Sequence, residues 1–190
     1  MSWFLAQELA GDDDLADLLA LAQLKQPWRA KLEIARNYWD EMGQGNASAT
    51  GAHLLEELSH DLHMESTQPP ACECWARANL MLGLATNRGY GFQALGALGV
   101  LEMTTVGSAR YLIAGLRRLG FSSASCACFE SRARLSPLRA HAWNEDVILP
   151  LVAQDSRLAA AVAEGALMRS MADARCWRRY ERELGVSDGH

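Results

Sequence analysis

Two glutamates lie on helical stripes that are otherwise apolar. Glu41 shares a helix face with Ile34 and Tyr38, and Glu102 continues the row that contains Leu98. A carboxylate directed into an apolar core needs a partner, because the burial of an unpaired charge is costly. Such a carboxylate can bind a metal ion or pair with a buried cation, whereas one at the edge of its stripe faces water. Glu41 and Glu102 are therefore the first candidates for chemistry.

Cysteines provide a second candidate, because four of the five occur as Cys-x-Cys pairs. The pairs are Cys72/Cys74 and Cys126/Cys128, and the fifth cysteine is Cys176. Residues two apart on a helix point roughly 200° away from each other, and zinc knuckles usually have about two to four intervening residues. The pattern therefore favours small buried side chains over a four-thiolate metal site. An odd number of cysteines in a chain of this size fits free thiols in a reducing compartment.

The charge and the hydropathy exclude several classes of function. The 190 residues carry a formal net charge of -5, so the chain lacks the positive field that favours nucleic acid or an anionic membrane surface. Its longest nearly unbroken apolar stretch, residues 94–101, is far shorter than the roughly 18 to 20 residues that span a bilayer. The N-terminus has no basic region of the secretory type. We expect a cytoplasmic protein with no nucleic-acid or membrane partner.

The elements that must position these residues are helices. Nearly every segment between breakers has helical spacing, and no window shows sustained strand-like alternation. With 49% hydrophobic residues the chain can bury one substantial core, so we predict a single all-α domain over residues 1–190. Ser136 and Pro137 are predicted to be the N-cap and the first residue of a new helix. The predicted helices cover residues 3–9, 13 onward, 28–42, 52–64, 71–86, 92–119, 123–134, 137 onward and 156–184.

Five stretches, taken in their order and spacing, resemble the iron-containing redox enzyme family. They are FLAQE at residues 4–8, NYWDEMGQG at 37–45, GALGVLE at 96–102, GLRRLG at 115–120 and AEGAL at 163–167. The resemblance implies a haem-oxygenase-like helical bundle in which carboxylates and imidazoles from facing helices hold two irons. In the family these irons activate dioxygen for N-oxygenation, C–C cleavage or desaturation of small amines, amino acids or fatty acids. The resemblance also suggests a homodimer.

The resemblance assigns a glutamate ligand to each of the first three core motifs. This chain keeps all three, as Glu8, Glu41 and Glu102. The family histidine that follows the second glutamate by about ten residues falls on Gly51, which the helical wheel places in the middle of the core stripe of its helix. Three histidines that lie near this position are expected at the surface: His53, His60 and His63.

The last motif of the family is a histidine, an aspartate four positions later and a histidine three beyond that, commonly followed by a tryptophan. Anchoring the motif on Trp143 puts these ligand positions at Arg132, Ser136 and Arg139. Arginine stays protonated and has no lone pair to donate, and a serine hydroxyl is a poor substitute for a carboxylate. Pro137 also disfavours the continuous helix that would present the motif. The metal site is therefore predicted to be degenerate.

A second register of the same motif remains open. It uses His141 with Glu145, which restores the spacing of one histidine and one acid, but it leaves Ile148 at the position of the second histidine. In that register the metal ligands would be Glu41, Glu102, His141 and Glu145.

Our interpretation is a non-catalytic member of the family that acts as a binding or partner protein. Arg132 and Arg139 are predicted to pair with Glu8, Glu41 or Glu102, because guanidinium groups match carboxylates. No residue is assigned a catalytic role and no cofactor is expected, with iron as the cofactor if the site is functional. One alternative is an iron-dependent oxidoreductase that activates dioxygen with a reduced ligand set. Another is a small-molecule binding protein that uses the family cavity.

Overall fold

The part of the chain that the structure describes forms a bundle of α-helices. The computed structural model describes residues 1–10, 15–63 and 69–185, and this part of the chain contains no strand, so the all-α prediction is confirmed. The predicted helix start near residue 13 and the predicted end at residue 64 lie outside the described residues. The elements are α1 (Ser2–Glu8), α2 (Leu15–Ala22), α3 (Trp28–Glu41), α4 (Gly51–Asp61), α5 (Cys72–Thr86), α6 (Gly91–Arg118), α7 (Ser123–Ala142), a π-helical segment (Trp143–Ile148), α8 (Leu149–Gln154) and α9 (Leu158–Leu184).

Helix α7 runs through Pro137 without a break. We predicted that one helix ends near residue 134 and that Ser136 and Pro137 start another, and this prediction is wrong. A proline inside a helix removes one backbone hydrogen bond, but Pro137 is exposed while Ser136, Arg139 and Trp143 on the same helical run are buried. The packing of these flanking residues offsets the local cost, since tertiary contacts supply most helix stability. The three ligand positions of the last motif consequently share one helix face.

Helix α6 is the centre of the bundle and packs against both α7 and α9. Two glycines bring α6 and α9 into backbone contact. A Cβ atom on Gly96 would lie 1.9 Å from the Val162 carbonyl oxygen, and one on Gly165 would lie 1.9 Å from the Gln93 carbonyl oxygen. Only glycine fits at either position, so the spacing of these two helices depends on both.

The apolar core is divided into two clusters along the bundle. The larger cluster takes buried side chains from α2, α3, α5, α6, the π-helical segment and α8, and the smaller one from α1, α4, α6 and α7. On α6, Glu102 lies between Leu98 of the larger cluster and Ala109 of the smaller one. On α7, the residues between Phe129 and Trp143 have the same intermediate position. The core is therefore interrupted at the level where the candidate site residues lie.

The cysteines are free thiols, and four of the five are buried. Cys126 belongs to the smaller core cluster, and Cys74 and Cys176 pack with Tyr180 in a third small cluster. The four buried cysteines occupy the core as small side chains, as the sequence predicts, whereas Cys72 is exposed and the prediction is wrong for it. Among the described residues, the helices include none whose length and apolar character suffice to cross a membrane.

Candidate functional site

The interruption of the core contains a layer of polar side chains contributed by three helices. We call it the polar layer, and it comprises Glu41 from α3, Glu102 from α6, and Arg132, Ser136 and Arg139 from α7. The exposed fractions are 8% for Glu41, 4% for Glu102 and 7% for Arg139. Charges buried to this degree must be paired with an opposite charge or removed by a change of protonation, because solvent screening is weak there.

Two arginines pair with the Glu41 carboxylate. Arg132 Nη2 lies 3.8 Å from Oε1 and Arg139 Nη1 lies 3.8 Å from Oε2. Arg139 also places Nε 3.5 Å from Oδ2 of Asp40, the residue before Glu41. Glu41 is thus flanked by two cations that lie about two turns apart on α7.

The Glu41 carboxylate also lies against the first residue of α4. A Cβ atom on Gly51 would be 1.8 Å from Glu41 Oε1, so Gly51 leaves room for the carboxylate only because it has no side chain. The N-terminus of a helix favours a negative charge, which adds a further stabilising contribution to Glu41. The Thr50 hydroxyl caps the same helix end by accepting a hydrogen bond from His53 N at 3.3 Å.

Burial raises the pKa of Glu102 to about 7. Arg139 and Arg132 lower this pKa, whereas the carboxylates of Glu41 and Glu33 raise it, and burial outweighs the arginines. The Glu102 carboxyl group therefore ionises near neutral pH, whereas a carboxyl group in water ionises at a lower pH.

The protein alone does not satisfy every polar atom near this layer. Asn37, one turn before Glu41 on α3, is fully buried, and neither its amide oxygen nor its nitrogen has a hydrogen-bond partner among the described residues. The same holds for Arg139 Nε, whose distance to Asp40 is that of an ion pair. Buried polar atoms are usually paired, so these three atoms are exceptions in the interior of the protein.

Glu8 belongs to a separate set of contacts, which we call the Glu8 network. Arg77 on α5 donates from Nη1 to Glu8 Oε1 at 3.0 Å, and the Tyr180 hydroxyl donates to the same oxygen at 2.8 Å. Arg77 also lies 3.5 Å from Asp173, which in turn accepts from Arg169 Nε at 3.0 Å. Glu8 is thus held by a different cation from those that act on Glu41 and Glu102, although the family resemblance groups the three glutamates together.

Sequence reasoning missed the partners of Glu8, although one signal for them was present. Arg77 occupies a buried position on the stripe of α5 that contains Cys74, Met81 and Leu84. Arg169 lies in the same way on the buried face of α9. An arginine at an apolar position of a helix indicates a buried carboxylate elsewhere, but the sequence does not say which one.

Of the four ligands in the second register, only Glu41 and Glu102 belong to the polar layer. His141 and Glu145 are exposed, whereas Glu41 and Glu102 are buried. His60 and His63 are exposed and His53 is partly exposed, in keeping with the surface positions expected for them. No three His, Cys, Asp or Glu side chains in residues 1–10, 15–63 and 69–185 are grouped so that they could share a metal ion.

The comparisons with known proteins identify a family but no individual relative. The model of a family described as iron-containing redox enzyme matches residues 2–174, which is most of the chain. No curated protein matches the chain. The match agrees with the resemblance carried by the five sequence stretches, and the all-helical structure agrees with the haem-oxygenase-like fold of the family.

The residues present do not fit the two irons that the family implies. Glu41, Gly51, Arg132 and Arg139 line one small cavity, so these four of the ligand positions inferred from the resemblance are neighbours in space. Two of these neighbours are guanidinium groups, which repel metal cations and have no lone pair to donate. At Gly51 an imidazole would collide with the Glu41 carboxylate. In this arrangement the side chains around Glu41 do not provide the donors that two irons need.

Replacing Arg139 by Met should destabilise the fold by roughly 3 to 5 kcal/mol, because Glu41 and Asp40 would lose a cationic partner in the interior. The free energy of unfolding is measured by denaturant titration. The double change Arg139→Met with Glu41→Gln should recover part of the loss, since it also removes a carboxylate that the first change leaves without this partner.

The matched control for this prediction is Arg157→Met, which removes an exposed arginine that pairs with Asp155 at the surface. We expect little change in stability for the control, because an ion pair at the surface contributes little. If Arg139→Met is as stable as the control, Arg139 does not neutralise the polar layer.

Replacing Glu102 by Gln should change how stability depends on pH. Because the folded pKa of about 7 is above the ordinary value of 4.5, the native state holds a proton between these values that the unfolded chain has lost. The stability of the parent therefore falls as pH rises through this window, and Glu102→Gln removes this loss. By pH 8 the variant should be more stable than the parent by at most roughly 3 kcal/mol.

Denaturant titrations of the parent and the variant from pH 5 to pH 8 measure this difference. The exposed Glu145→Gln variant serves as the control and should follow the parent. A constant difference between Glu102→Gln and the parent at every pH would contradict the raised pKa.

Proposed function

Because this chain belongs to the iron-containing redox enzyme family, we propose that it is a non-catalytic member in which an arginine–carboxylate network takes the place of the two irons. The observation that carries the proposal is the pairing of Arg132 and Arg139 with Glu41 at positions that the resemblance assigns to metal-ligating histidines. In this account the two guanidinium groups supply the positive charge that metal ions would supply to the buried carboxylates.

The chemistry of the substituted side chains supports the proposal. Histidine binds iron through a neutral nitrogen, whereas arginine stays protonated in proteins and presents only N–H donors. Ser136, at the position of the family aspartate, is buried and offers a hydroxyl oxygen in place of a carboxylate. The changes thus remove three donors from one helix face and add two cations to it.

The geometry at Gly51 supports the proposal independently. Glu41 occupies the space next to the Gly51 Cα atom, so the position that holds a histidine in the family has become part of the carboxylate's binding site. Restoring an imidazole at Gly51 would displace Glu41 from both arginines. The substitutions at Gly51, Arg132 and Arg139 are therefore mutually consistent, as expected if they replaced the metal site together.

A role in binding is the function that remains for a bundle with such a core. A cavity of about 160 Å³ lies between α1, α6, α7 and α9, and it is lined by polar and apolar side chains. Cavities of this kind are the usual location of small-molecule sites between the helices of a bundle. We propose that the protein binds a small molecule there without redox chemistry, and that a protein partner is the runner-up.

Anaerobic loading with ferrous iron tests the loss of the metal centre. We expect less than stoichiometric iron per chain, because Glu41 already pairs with two arginines and the neighbouring donors are absent. Iron and protein are quantified together by elemental analysis after removal of unbound metal. Two tightly bound irons per chain would overturn the proposal and favour the iron-dependent oxidoreductase.

A variant that restores the family's ligand types provides the matched comparison for this loading. It combines Gly51→His, Arg132→His, Ser136→Asp and Arg139→His, all at positions around the polar layer. Because α7 is continuous, the three restored side chains would lie on one face. Iron uptake by this variant and not by the parent would show that the four substitutions, rather than the fold, prevent metal binding.

A further inference from the structure

We propose that the cavity between α1, α6, α7 and α9 binds a small organic carboxylate and that Arg169 is the residue that recognises the carboxylate group. This inference rests on the proposed function, since it assigns a chemical class to the small molecule proposed there. The charged residues of the cavity lining are Glu8, Arg77, Arg132, Arg169 and Asp173.

Arg169 has hydrogen-bonding capacity that the protein does not use. The residue is 9% exposed, and its Nε donates to both oxygens of Asp173 at 3.0 Å. Its two terminal amino groups make no hydrogen bond to any described residue, although the side chain lines the cavity. A guanidinium group carries five N–H donors in a planar fork that matches a carboxylate. Four of these donors are therefore available to an anion.

The neighbouring arginine in the cavity differs from Arg169 in this respect. Arg77 donates from Nη1 to Glu8 at 3.0 Å and from Nη2 to the backbone oxygens of Gln7 and Glu8 at 3.3 and 3.0 Å. Its terminal amino groups are thus engaged with the protein on both sides. Arg77 fixes the position of Glu8. Arg169 is held only at Nε, so Asp173 orients its guanidinium group without using the terminal amino groups.

The rest of the cavity indicates the size and character of the ligand. Apolar side chains form much of its wall: Leu9, Leu101, Leu112, Phe129 and Trp177. The volume of about 160 Å³ is close to that of an engineered apolar cavity of about 150 Å³ that binds benzene. The fork of Arg169 and these walls together fit a monocarboxylate whose apolar part has about the size of a benzene ring. Arg132 from α7 also lines the cavity and would add a second cation for the anion.

Benzoate and its neutral analogue benzamide are the probes for this site. The full-length protein, without added metal, is titrated with each by calorimetry. We expect benzoate to bind and benzamide to bind at least roughly tenfold more weakly, because it lacks the charge that the fork of Arg169 recognises. Arg169→Met should weaken benzoate binding roughly ten- to hundredfold. Arg157→Met, which makes the same change in an exposed arginine–aspartate pair, should leave binding unchanged.

Several outcomes would overturn the proposal. These are no benzoate binding at millimolar concentration, equal affinity for benzoate and benzamide, or unchanged benzoate binding by Arg169→Met. If Arg169→Met does not fold, Arg169→Lys keeps the charge but loses the planar fork, and it should bind benzoate more weakly than the parent. A chain that takes up little iron and ignores benzoate would overturn this inference alone, whereas two irons per chain would overturn the proposed function.

Discussion

The neutralisation of buried carboxylates is the constraint on which the interior of this bundle depends. Glu41 and Glu102 lie where the apolar core is interrupted, too far from solvent for water to screen them. A diiron centre resolves this problem with metal cations. Here Arg132 and Arg139 pair with Glu41, and burial keeps Glu102 protonated up to near-neutral pH. One carboxylate is thus paired and the other is largely neutral, so two negative charges need not be accommodated side by side.

The arrangement of the helices meets this constraint in two separate places, the polar layer and the Glu8 network. A continuous α7 presents both arginines of the polar layer on one face, and Gly51 at the start of α4 leaves space for Glu41. Glu8 is held by Arg77 and Tyr180 from other helices, on the side of the cavity where Arg169 lies. Under the proposed function, no shared metal requires the three glutamates to converge on one point. Glu8 and Arg77 line the proposed binding cavity, while Arg132 and Arg139 neutralise Glu41 in the polar layer.

The sequence predicts the helices and the inward direction of Glu41 and Glu102 well, because apolar periodicity reports which helix face is buried. It fails at Pro137, where the sequence favours the start of a new helix. The tertiary packing of Ser136 and Trp143 outweighs this local preference, and the helix continues. It also fails for the partners of Glu8. Arg77 is 69 residues from Glu8 in the sequence, with α2, α3 and α4 between them, and only the folded bundle brings them to 3.0 Å. The raised pKa of Glu102 likewise depends on depth of burial, which periodicity does not measure.

The central claim is that guanidinium groups stand where the family places irons, and X-ray diffraction tests it most directly. Crystals are grown anaerobically with ferrous iron, and anomalous data are collected at the iron absorption edge. The account predicts no anomalous peak between Glu41 and Glu102, with the Arg139 guanidinium lying against the Glu41 carboxylate. Two iron peaks between these glutamates, with Arg132 and Arg139 turned away, would contradict it.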